Sequence, residues 1–222
     1  LIHVIEGSGV SDINFDLTEG GSISGIIYQQ DGITPIGGAE VFVRPSKYFF
    51  DEGFHTVTEA DGGYIVDGLS LGSFKIRIDV FGYARLKYYD AYGWSSATNV
   101  MVAPPDITPN ININLDPAGS ISGYIYQSDG VTPITNIGII ADTTLGDWEG
   151  IWANSNADGS YTIEGLPPSS YVVRVQNPLG LASGFYNGKL SRQNANALSV
   201  AVGQQITDID FTLEPGAPLS GH

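Results

Sequence analysis

The stretch GGSISGIIYQQDGITPI at residues 20–36 returns as AGSISGYIYQSDGVTPI at 118–134, an offset of 98 residues. A repeat of that length sets the organisation of the chain before any secondary structure is read. Further on, ADGGYIVDGLSLGSFKIRI at 60–78 returns as ADGSYTIEGLPPSSYVVRV at 157–175, offset 97, so one residue is lost in the loop between. The register recovers where Asn110-Ile-Asn-Ile-Asn-Leu115 meets Asp208-Ile-Asp-Phe-Thr-Leu213. Each repeat is then one domain, 20–116 and 117–214.

Both ends of the sequence fall in phase with this repeat. INFDL at 13–17 matches 111–115 and 209–213, and LIHVI at 1–5 is in phase with the strand around Val102 and Val200. Residues 1–19 therefore read as the last two strands of a preceding repeat, or as strands exchanged with another copy. The closing LEPGAPLSGH, 213–222, places Leu219-Ser-Gly 196 residues after Ile23-Ser-Gly, so 215–222 read as the start of a third repeat. A window of a longer array fits this phasing, and so does a subunit whose residues Ile13, Phe15, Leu17 and Leu219 exchange strands with a neighbour.

Apolar and polar residues alternate at Ile23, Gly25 and Ile27, at Val41 and Val43, and at Phe74, Ile76 and Ile78. Period two marks half-buried antiparallel strands, and helical periodicity is missing throughout. Turns at Asp31-Gly32, Asp61-Gly62, Asp129-Gly130 and Asp158-Gly159 separate the strands. Seven strands are expected in repeat 1, near 22–29, 39–44, 54–59, 63–68, 73–80, 99–103 and 110–115. The fold class is all-β: two tandem seven-stranded antiparallel sandwiches, immunoglobulin-like or transthyretin-like. An odd strand count in an up-and-down traverse starts at one end of a sandwich and leaves at the other, so the domains stack end to end. The joint Asp116–Ser120 is short and holds Pro117, which favours a stiff rod with a repeat length of roughly 35–40 Å.

Composition narrows the function. Net charge is −15, from 24 acidic against 9 basic residues, which repels nucleic acid and anionic membranes. No cysteine is present, so disulfides and thiolate metal sites are excluded and the cores must hold the fold. This fits an exported bacterial or archaeal protein, extracellular or at the cell surface. Nothing in 1–222 resembles a signal peptide or a membrane span.

The segment ADGSYTIEGLPPSSYVVRV resembles the signature of the carboxypeptidase regulatory-like domain, a transthyretin-like sandwich, and ADGGYIVDGLSLGSFKIRI carries the same frame. The resemblance covers both repeats, including the GSISG start, Tyr88-Tyr89-Asp90 against Phe185-Tyr186-Asn187, and the closing I-x-F-x-L strand. It implies tandem domains without a catalytic role, in secreted or surface-attached proteins or appended to peptidases. The related collagen-adhesin B-type domains can hold a Lys–Asn isopeptide bond; the first strands here, 22–29 and 120–127, contain no lysine.

Candidate chemistry points the same way. The histidines are His3, His55 and His222, too few and too scattered for a triad or a zinc site that recurs in both repeats. Asp142, Asp147 and Glu149 share a loop, but a glycosidase pair needs a cleft long enough for a sugar chain. Calcium is the candidate cofactor, because hard oxygen ligands are abundant. The traverse gathers Asp31, Asp61 and Asp116 at one end of repeat 1, and Asp129, Asp158 and Glu214 at the same end of repeat 2. Asn154-Ser-Asn-Ala-Asp158-Gly159 also echoes a calcium loop, though a plain hairpin turn explains it as well. Aromatic side chains, Tyr92 and Trp94 in repeat 1 and Trp148 and Trp152 in repeat 2, are candidates for domain packing, a subunit interface or glycan stacking. The reading is a non-enzymatic structural module of a surface stalk, adhesin shaft or head-to-tail filament whose partners are further copies of itself. The alternative is a carbohydrate-binding accessory region of a secreted hydrolase.

Overall fold

Period-two alternation folds as strand throughout the chain. The computed structural model describes residues 3, 6–7, 9–11, 13–47, 53–85, 87–143, 150–176 and 180–216. The first unit holds β1 (Gly21–Gln29), β2 (Glu40–Pro45), β3 (Phe54–Val57), β4 (Gly63–Leu69), β5 (Gly72–Asp79), β6 (Lys87–Tyr88), β7 (Ala91–Tyr92), β8 (Val100–Val102), β9 (Ile107–Thr108) and β10 (Ile113–Leu115). The second holds β11 (Gly119–Gln127), β12 (Gly138–Thr143), β13 (Ile151–Asn154), β14 (Ser160–Leu166), β15 (Ser169–Gln176), β16 (Gly184–Phe185), β17 (Ala197–Val200), β18 (Gln205–Ile206) and β19 (Phe211–Leu213). Every strand expected in repeat 1 has a counterpart. β6, β7 and β9 are two residues each, too short to show a period.

In the first unit β1 pairs with β4 on one edge and with β9 and β10 on the other, while the facing sheet runs β3-β2-β5-β6-β7 with β8 also on β5. The second unit repeats this plan, with β14, β18 and β19 around β11, and β13-β12-β15-β16 with β17 on β15. Ile23, Ile27, Tyr64 and Val66 from one sheet bury against Val41, Val43, Ile76 and Ile78 from the other. Ile121, Ile125, Tyr161 and Ile163 do the same against Ile139, Ala141, Val173 and Val175. Each of these side chains removed from water contributes roughly 1.5–3 kcal/mol, so two separate cores each hold a sandwich.

The sheets depart from the purely antiparallel expectation. β10 runs parallel to β1, with Ile27 opposite Ile113 and Gln29 opposite Leu115, and β19 runs parallel to β11 in the same way. With β9 and β10 taken as one broken strand and the two-residue β6 and β7 set aside, the traverse has seven strands, so first and last point the same way and pair in parallel as neighbours. The last strand is also broken. Asn110 and Asp208 take positive φ, 64° and 63°, and the next turn of chain presses on the first strand. A Cβ on Gly25 would lie 2.0 Å from the Ile111 carbonyl oxygen, and one on Gly123 2.3 Å from that of Ile209. Glycine in the SISG motif is therefore a requirement of close backbone approach. The phenols of Tyr64 and Tyr161 donate to these same carbonyls at 2.7 and 2.6 Å. Burial pushes both phenols above the usual tyrosine range.

Residues 13–20 form no strand. Ile13, Phe15 and Leu17 are 43%, 79% and 93% exposed, whereas their in-phase counterparts Ile111, Ile113 and Leu115 are buried. Leu219 and the rest of 217–222 lie outside the described residues, as do Trp148, Asp147 and Glu149.

Candidate functional site

The two sandwiches meet at a joint made largely of backbone. β10 ends at Leu115, and the exit Asp116–Ala118 lies against the loop that follows β5. Ala84 N–H donates to the Asp116 carbonyl at 2.9 Å, Ala118 N–H to that of Gly82 at 3.1 Å, and Tyr83 bridges to Pro117. The Ala118–Gly82 bond crosses between the units, and so does a second, in which Arg85 N–H donates to the Gly165 carbonyl at 2.8 Å; Gly203 N–H holds the Pro117 carbonyl at 3.1 Å within the second unit. Gly165 sits beneath Arg85, where a Cβ would come within 2.6 Å of the Arg85 Cγ. These bonds satisfy backbone groups on both sides of the joint.

Tyr92 closes this joint from the side. Its hydroxyl donates to the Asp116 carboxylate, and burial, then that hydrogen bond, then the charges of Asp116 and of Tyr171 in the second unit push the phenol above its usual range. The sequence singled out Tyr92 and Asp116 for different roles; the structure brings them together as one latch. Beside it lies a cleft of about 840 Å³ between the units, lined by Glu40, Arg77, Asp79, Phe81, Arg85 and Glu164 among others. Arg77 and Asp79 pair at 2.8 Å within it.

The carboxylate oxygens of the acidic turn residues are occupied locally. Strand register carries the Asp31 and Asp61 turns to the end of β1 where β10 leaves, since Ile26 lies opposite Gly63 and Gln29 opposite Leu115. Asp31 accepts from the N–H groups of Ile33 and Thr34 at 2.9 and 2.8 Å and from the Thr34 hydroxyl. Asp129 makes the same bonds with Val131 and Thr132, and Asp158 accepts from the N–H and hydroxyl of Ser160. The Thr34, Thr132 and Ser160 hydroxyls, followed by the backbone donors, hold these three carboxyls below their ordinary range. Asp61 accepts from Gly63 N–H at 3.0 Å. Glu214 is exposed, and its carbonyl takes the Ala182 N–H at 2.8 Å. Among the described residues no three His, Asp or Glu side chains come together as a metal site. The Asn154–Gly159 echo is a hairpin turn, closed by Gly159 N–H on the Asn156 carbonyl at 3.0 Å.

Trp94 covers the outer face of β5, with the Lys75 ammonium 5.1 Å from its ring centroid and donating to its carbonyl. Tyr88 meets the Trp94 ring edge-on at 5.9 Å. Trp94 is thus packing for its own sandwich. Trp152, on β13, is 64% exposed. Asp142 accepts from Arg174 Nε at 2.6 Å with Arg192 at 3.7 Å, an ion cluster on the second unit. His55 lies on the surface of β3 against the Phe42 ring.

One feature of the second unit escaped the sequence reading. A groove of about 420 Å³ runs between β19 and the 182–190 segment, with Phe185, Leu190, Phe211 and Leu213 among its walls and Lys189 and Glu214 beside them. No local pattern marks it: the repeats diverge after Asp90 and Asn187, where the offset is still 97 residues.

The sequence matches no protein-family model and no curated protein. Among solved structures the chain is similar to GBS52, the minor pilin of Streptococcus agalactiae, at 12% identity and TM-score 0.42, over 91% of this chain and 99% of that one. It is similar to a streptococcal ancillary pilin at 14% identity and TM-score 0.40, over 90% of this chain and 64% of that one. Against the Bacillus anthracis TIE protein the identity is 14% and the TM-score 0.37, over 89% of this chain and 34% of that one. The chain thus spans about a third of the TIE protein and just under two thirds of the ancillary pilin.

Proposed function

We propose that this chain is a non-enzymatic structural module of an extracellular or cell-surface assembly, a length of stalk, adhesin shaft or filament built from sandwich domains 20–116 and 117–214. The observation that carries the reading is the joint. Its two sandwiches are tied by the Arg85–Gly165 and Ala118–Gly82 backbone bonds, with the Tyr92–Asp116 bond holding the exit of the first beside them. A shaft needs a joint that transmits load without bending. The resemblance of both repeats to carboxypeptidase regulatory-like domains, which occur as tandem arrays, supports the same reading, and so does the phasing of INFDL at 13–17 with the repeat.

Small-angle X-ray scattering on dilute protein tests it. A rigid rod of two repeats has a maximum dimension of roughly 70–80 Å and a Kratky profile without a flexible tail from interdomain motion. A scattering curve that needs an ensemble of bent and extended conformers would refute the reading.

A further inference from the structure

The cleft beside the joint is lined by polar groups that the protein itself leaves unused. Its volume of about 840 Å³ lies within the range of small-molecule sites. Arg77 and Asp79 pair with each other inside it. Among the described residues, the side chains of Glu40 and Arg85 from the first unit and of Ser120, Glu164 and Gln205 from the second make no hydrogen bond or ion pair. Carboxylate acceptors, guanidinium donors, a hydroxyl and an amide therefore border one space from both sides. Phe81 stands beside them, 91% exposed.

The second unit continues this surface along β11. Ser120, Ser122 and Tyr124 alternate outward on that strand, with Glu164 opposite Ser120, Thr162 opposite Ser122 and Ser160 opposite Tyr124. The strip leads from the cleft to Tyr124 and Tyr126, whose rings stack at 5.8 Å and 13°. From Ser120 to Tyr124 is about 13 Å along the strand, and Tyr124 is 42% exposed. The first unit has no such strip: its Ser22 hydroxyl donates to Asp67 at 2.7 Å, and Ile26 stands where Tyr124 does.

The chemistry of this surface selects its ligand. A net charge of −15 repels polyanions. An apolar ligand would bury the unpaired charges at a cost in free energy. Glu40, Asp79 and Glu164 share the lining with Arg77 and Arg85, so it is close to neutral. A neutral molecule rich in hydroxyls suits it, since each hydroxyl both donates and accepts and the C–H face of a sugar ring lies flat on an aromatic one. We propose that the joint cleft and the outer face of β11 bind a neutral oligosaccharide, with Arg85 and Glu164 hydrogen-bonding its hydroxyls and Phe81 and Tyr124 stacking on its rings. Both units contribute, so the bound sugar bridges the joint.

This inference rests on the fixed joint of the shaft reading and is tested separately from it. The full chain is presented to an array of neutral and anionic oligosaccharides with an oligolysine peptide beside them, and the strongest neutral binder is then titrated by isothermal calorimetry. Glu164→Ala should weaken binding about tenfold or more, and Phe81→Ala and Tyr124→Ala roughly two- to tenfold each. Phe81, Tyr124 and Glu164 are exposed, so these variants keep the parent's melting temperature and dilute scattering profile. Trp152→Ala, on the facing sheet, should leave binding unchanged. An array on which no neutral sugar binds, binding to the anionic sugars or the peptide alone, or affinity that ignores the three cleft and β11 variants overturns the site and leaves a rigid shaft standing; a flexible chain in dilute scattering overturns the shaft whatever the array shows.

Discussion

Gly68 and Gly165 occupy equivalent positions with nearly identical backbone, φ +76° and +79°, yet their surroundings differ. A Cβ on Gly68 would have its nearest neighbour at 3.9 Å, whereas one on Gly165 would meet the Arg85 Cγ and Cδ at 2.6 and 2.7 Å. Gly68→Ala and Gly165→Ala therefore carry the same backbone strain, about 1–2 kcal/mol for an L-residue in the left-handed region. For a sandwich of this size that strain lowers the affected unit's melting temperature by about 4–16 °C. Only Gly165→Ala also displaces Arg85, whose N–H holds the Gly165 carbonyl across the joint. Differential scanning calorimetry should show similar losses, in the first unit for Gly68→Ala and in the second for Gly165→Ala. Scattering should show a bent or flexible particle for Gly165→Ala alone. If both variants scatter like the parent, or Gly68→Ala also bends the rod, the Arg85–Gly165 contact does not set the angle of the joint.

Tyr161→Phe removes the phenol that donates to the Ile209 carbonyl, leaving a buried acceptor short of its partner at about 1–3 kcal/mol, and Tyr64→Phe should do the same through Ile111; each should shift its own unit's calorimetric transition and leave the other in place. The buried phenols also set an alkaline limit. Because their folded pKa lies above the unfolded value of about 10, the stability they contribute is complete below that pH and is lost as pH climbs beyond it, so circular-dichroism melts should fall steeply above roughly pH 10. Chelation of divalent cations with EDTA should leave melting temperature and rod length unchanged, since the Asp31, Asp129 and Asp158 carboxylates are satisfied within their own turns; a lower melting temperature that calcium restores would show that a cation holds the joints.

Much of the fold was legible because its signals are local. Alternation at Phe74, Ile76 and Ile78 announces a strand, and the Asp-Gly pairs mark turns whose carboxylates cap their own backbone. The same residues misdirected the search for a site: grouped carboxylates invite a metal, and nothing in the sequence says that Thr34 and Thr132 already occupy those oxygens. Trp94 likewise suggests a binding surface until Lys75 is found beneath its ring. The groove was missed because its walls, the 182–190 segment and β19, come together only in the fold.

Repetition, strand positions and turns were determined by the sequence alone, since each depends on residues within a few positions of one another. Strand partners were decided by tertiary structure. The parallel pairing of β10 with β1 joins residues 86 apart, as the Ile27–Ile113 register shows, and no period in the intervening chain encodes it. The requirement for Gly25 arises there too, from the Ile111 carbonyl pressed against its Cα. So does the joining of Tyr92 to Asp116, because a side chain closes a gap only if folding has placed a partner within its reach.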